Sequence, residues 1–106
     1  VNCYLVISTV PDIETARNIA EKAVGSGTAA CVNIVPQIES VYRWKGDICR
    51  DTELMLFMKT TAERKADLKK VLLECHPYEV PELIEIPIEG GHQPYLEWIK
   101  ISVAEN

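Results

Sequence analysis

Cys75 and His76 stand side by side in the chain. A thiolate next to an imidazole suits Cu(I), Cu(II) or Zn(II) better than Mg(II) or Ca(II). Both side chains can reach one ion if the last turn of a helix ending there unwinds. The pair also has a purely structural reading. Cys75 falls on an apolar stripe, where a free cysteine behaves as a small hydrophobe, and His76 at a helix C-terminus interacts favourably with the helix dipole. Cys31 acts as a nucleophile only if a neighbouring base lowers its pKa; otherwise it is a packed strand cysteine. Tyr42 and Trp44 combine apolar faces with polar tips, which suits a subunit interface or a ligand wall. Lys59, at the end of an extended run, either holds an anion or is a solvated strand end. Glu79, Glu82, Glu85 and Glu89 are regularly placed acids. Such groups do acid–base work, bind hard cations or blunt a sheet edge. Gly90-Gly91 reads as a turn with no P-loop lysine after it, and no Ser/His/Asp set is visible. These residues point to a binding protein rather than an enzyme.

The elements that must position these groups follow from periodicity and breakers. Residues 3–9 form a β-rich apolar run, a buried strand. Pro11 and Asp12 signal a helix start, with Asp12 as N-cap. Ile13, Ala16, Ile19, Ala20, Ala23 and Val24 then recur at helical spacing until Gly25 and Gly27. Extended stretches over 29–44 and 48–60 flank a Lys45-Gly46-Asp47 turn. Thr60 and Glu63 have capping-box spacing, and Leu68, Val71, Leu72 and Cys75 make an i, i+3, i+4, i+7 stripe that Pro77 ends at His76. Residues 82–88 read as a fourth strand, at an edge or bulged because Pro87 lacks a donor. Pro94 opens a last helix with Tyr95, Leu96, Trp98, Ile99 and Val103. The order β-α-β-β-α-β plus a C-terminal helix is an α+β, ferredoxin-like split βαβ arrangement.

Composition bounds the rest. The chain has 106 residues, and one domain, 1–106, accounts for them. A net charge of -5 argues against a nucleic-acid partner and leaves no polybasic segment for a membrane surface. No apolar run approaches the roughly 20 residues of a membrane-spanning helix. The opening Val1-Asn2-Cys3-Tyr4 lacks a signal-peptide layout. The four cysteines, at 3, 31, 49 and 75, make no Cys-x-x-Cys pair. Reduced thiols in a cytoplasm are expected.

Two physical arguments predict an oligomer. Leu54, Leu56 and Met58 alternate with Met55 and Phe57, while Ala30, Val32 and Ile34 alternate with Cys31 and Val35. Both sheet faces are thus largely apolar and need covering. The two main helices of a ferredoxin-like unit cover one face, and the C-terminal helix part of the other. In addition, residues 28–44 extended span roughly 55 Å, against a compact diameter of roughly 35 Å for a chain of this size. The long hairpin made by the extended stretches 29–44 and 48–60 must overhang, with Val41, Tyr42, Trp44 and Ile48 near its tip.

Several segments resemble the CutA family, linked to divalent-cation tolerance. They are Ala29-Ala30-Cys31-Val32-Asn33, Val41-Tyr42-Arg43-Trp44-Lys45-Gly46, Lys59-Thr60-Thr61, His76-Pro77-Tyr78-Glu79-Val80-Pro81-Glu82 and Tyr95-Leu96-x-Trp98. The resemblance covers essentially the whole chain. It implies a ferredoxin-like homotrimer, similar in architecture to the PII signalling proteins, whose subunits exchange strand contacts. Bacterial members are associated with copper tolerance and copper binding. A copper-binding member uses a cysteine near the end of the first strand and two histidines before Pro-Tyr. The matching positions here are Ser8, Cys75 and His76, so only His76 is preserved in kind. Cys31, Tyr42, Trp44, Lys59, Tyr78, Glu79 and Glu82 are expected to line a cleft between subunits. The leading expectation is a cytoplasmic trimer that binds copper or another divalent metal ion in metal tolerance. The alternatives are a PII-like trimeric sensor of a small anionic metabolite or nucleotide, and a non-catalytic structural adaptor.

Overall fold

Asp12 opens the first helix as its position suggests: its Oδ1 accepts the Thr15 N–H at 2.8 Å. The structure, a computed structural model, describes residues 2–104; Val1, Glu105 and Asn106, which complete the expected 1–106 domain, lie outside the described residues. The elements run β1 (Cys3–Val10), α1 (Ile13–Gly25), β2 (Cys31–Trp44), β3 (Asp47–Thr61), α2 (Lys65–Cys75), β4 (Ile84–Pro87) and α3 (Gln93–Val103). The sheet order is β2-β3-β1-β4, with every neighbouring pair antiparallel. This is the ferredoxin-like α+β arrangement with an added C-terminal helix.

The hairpin turns at Lys45 and Gly46, whose φ values are 49° and 87°, between the paired Trp44 and Asp47. Two successive left-handed residues make the turn whose twist matches antiparallel strands. Farther down, the β2–β3 register shifts between Val35 and Ile38, where Gln37 takes a φ of 59°. This bulge bends a hairpin that still stretches the molecule to 45 Å, against 25 and 21 Å across.

Three expectations need correction. Thr60 caps no helix. It pairs with Tyr4 inside β3, and its buried hydroxyl donates to the Thr28 carbonyl at 2.7 Å. Strand pairing carries the chain through Thr61, so α2 begins only at Lys65, with Arg64 at its N-cap and no side-chain cap bond. The fourth strand is four residues long, not seven. Continuing its register would bring Glu82 opposite Thr9, but the Thr9 carbonyl accepts from His76 Nε2 at 2.8 Å. Ala30 does not share the face of Val32 and Ile34. It precedes β2 and packs with Cys3, Leu96, Ile99 and Val103 under α3.

The sheet therefore has a closed face and an open one. On the closed face Val6, Val10, Leu54, Leu56 and Met58 pack against Ala16, Ile19 and Ala23 of α1 and Leu68 and Leu72 of α2. On the opposite face α3 covers only the end near Cys3. Leu5, Ile7, Met55 and Phe57 remain half-buried there, and Ile84 of the edge strand is 48% exposed.

Candidate functional site

Strand alternation places every second residue of β3 on the open face. Past the bulge, Glu53 lies opposite Ile38, and Tyr42 opposite Cys49. The segment 77–82, between α2 and β4, forms a facing wall. Between the two lies an open groove of about 820 Å³. Its hairpin side presents Ile38, Tyr42 and Trp44, its floor Thr9, Glu53 and Met55, and its far wall Tyr78, Glu79 and Glu82. Five of the expected cleft residues thus meet here within one chain: Tyr42, Trp44, Tyr78, Glu79 and Glu82.

Hydrogen bonds fix the two tyrosines. The Tyr78 hydroxyl donates to Glu53 Oε2 at 2.7 Å, and the Tyr42 hydroxyl donates to Asp51 Oδ2. The acceptor Asp51 pushes the Tyr42 hydroxyl up to about 12, because losing its proton would set two negative charges together. Burial, then Glu53, raises the Tyr78 pKa as well. Burial also raises the Glu82 pKa, with the nearby Glu53 adding to it. The field in this groove is negative.

The other two expected cleft residues lie elsewhere on the same face. Cys31 and Lys59 are cross-strand partners at the far end of β2 and β3. Lys59 Nζ donates to Asn33 Oδ1 at 2.8 Å and sits 5.6 Å from the centre of the Tyr95 ring, which stacks with Trp98. The Cys31 thiol contacts the same Asn33 oxygen at 3.6 Å. The open face therefore has a cationic end under α3 and an acidic end at the groove.

His76 joins β1 to the segment 77–82. The residue is 8% exposed; Nε2 donates to the Thr9 carbonyl, and Nδ1 accepts the Tyr78 N–H at 3.2 Å. Both ring nitrogens are thus engaged within the chain, and the proton sits on Nε2. Cys75 ends α2 and packs against the closed-face core. Ser8 is fully buried, its hydroxyl 3.5 Å from the Thr9 carbonyl. As a donor set these residues offer one imidazole, one thiol and one weak hydroxyl. Among the described residues no group of three or more His, Cys, Asp or Glu is placed to hold one metal ion. Cys75 and His76 alone do not complete a metal site, and the missing donors would have to come from water or a second subunit.

Glu53 is the site residue that sequence reasoning missed. It is 7% exposed. The signal was present: Glu53 occupies the same alternation slot as Met55 and Phe57, so a carboxylate stands where the pattern calls for an apolar side chain. Asn33 and Tyr95, which fix Lys59, were also not singled out as its partners.

Residues 4–102 match the family model described as CutA1 divalent ion tolerance protein. The chain is 46% identical over 96 residues to the divalent-cation tolerance protein CutA of Thermus thermophilus, covering 91% of this chain and 93% of that protein. It is 42% identical over 92 residues to human protein CutA, covering 87% of this chain but 51% of the human protein. It therefore spans about half the length of that animal relative. The crystal structure of CutA from Xylella fastidiosa superposes with a TM-score of 0.96 at 36% identity, covering 98% of this chain and 100% of that one. Other relatives are named as a chloroplastic protein in Oryza sativa and a periplasmic one in Archaeoglobus fulgidus. Among the described residues no helix is long and apolar enough to cross a membrane.

Proposed function

The chain belongs to the CutA1 divalent ion tolerance protein family, and on that premise we propose that it is a cytoplasmic homotrimer that binds a divalent metal ion, copper included, in metal tolerance. What supports the metal reading is the match to the divalent ion tolerance family, with His76 as the residue through which it is tested. The one lone pair of His76, on Nδ1, is held by the Tyr78 N–H. A metal on that nitrogen displaces this bond and loosens the segment 77–82 from β1, so binding reads out as movement of the groove's wall. Cys75, next in the chain, supplies a thiol of matching softness. Ser8 contributes little to a soft ion.

The trimer rests on the open face. Leu5, Ile7, Met55, Phe57, Ile84 and Ile86 form an apolar surface that a monomer leaves in water. Ile48, 68% exposed near the hairpin tip, needs a neighbour as well. The four cysteines are unpaired, in keeping with a reducing compartment. We read the protein as a binder, not an enzyme.

A second reading has its own support. Lys59, steered by Asn33 and Tyr95, is a pre-positioned cation suited to a small anionic metabolite or nucleotide in a PII-like cleft. The third, a structural adaptor, needs only the trimer. Equilibrium dialysis of the protein and of His76→Ala against Cu(II) and Zn(II) separates these readings. Tighter binding by the unmodified chain is expected; equal, weak binding by both removes the His76 assignment.

A further inference from the structure

We draw no further inference here: the strongest candidate, the exposed apolar stripe of Tyr95, Trp98 and Ile101 along α3, is a helix face without a partner, and nothing in the structure shows what covers it.

Discussion

Leu56 and Phe57 are neighbours in β3 and live in different surroundings. Leu56 points into the closed face and is fully buried between sheet and helices; Phe57 points to the open face and is half-buried. One face is an interior completed by the chain itself. The other carries nearly every side chain able to meet something else: the Lys59 end, the apolar middle and the acidic groove. The difference teaches where function can reside in so small a fold, because the closed face is packed by two helices while the open one is covered only at the end under α3.

The largest effect should come from the closed face. Leu56→Ala removes a fully buried side chain from a core shared by α1, α2 and three strands, and should cost about 2–5 kcal/mol by thermal or urea unfolding. A cost no larger than that of Phe57→Ala measured on dissociated protein would mean that the two faces are not so different.

Next comes Phe57→Asp. A charge at this half-exposed position should leave the monomer's fold in place but keep a second copy off the face. Light scattering should then fall from three times the chain mass of 11.9 kDa to one, with the far-ultraviolet circular dichroism unchanged. A variant that keeps the assembled mass would move the interface away from the open face. Leu56→Asp is the paired control and should fail to fold, since it buries a lone charge.

The closed face was largely legible in the sequence, and the reason is physical. Period-2 alternation in β3 and period-3.6 stripes in α1 and α2 are imposed by a dry interior, so Leu54, Leu56, Met58, Leu68 and Leu72 announce their own positions, while β1 reads only as a continuous apolar run. Thr60 was misread because a buried threonine tying β3 to the Thr28 carbonyl has the same one-letter spacing to Glu63 as a helix cap. Only the end of the sheet ladder distinguishes them. The open face was harder. Tyr42, Trp44, Tyr78, Glu79 and Glu82 were expected to share a cleft, and they do, but Cys31 and Lys59 sit at the other end. Their separation follows from strand length: Cys31 and Lys59 pair at one end of β2 and β3, while Tyr42 and Glu53 lie farther along the same two strands, at about 3.3 Å per residue. Ser8 and Cys75 show the reverse problem. Each has an identity fitted to chemistry, while their observed surroundings are packing.

The smallest effect is also the most specific to the groove. Glu82 has a raised pKa, first through burial and then through Glu53. A carboxyl whose folded pKa exceeds its unfolded value is better accommodated protonated. Its favourable contribution is complete below the unfolded pKa and disappears as the pH rises through the folded one. At neutral pH the ionised Glu82 is therefore a small liability. Glu82→Gln should raise the unfolding free energy slightly at pH 7, by well under about 1 kcal/mol once solvent screening of a partly exposed group is allowed for, and the melting temperature with it. The difference should vanish near pH 3.5, where both side chains are neutral. A Glu82→Gln variant less stable than the parent at pH 7 would mean that the carboxylate has a favourable partner and that the groove is not an uncompensated negative field.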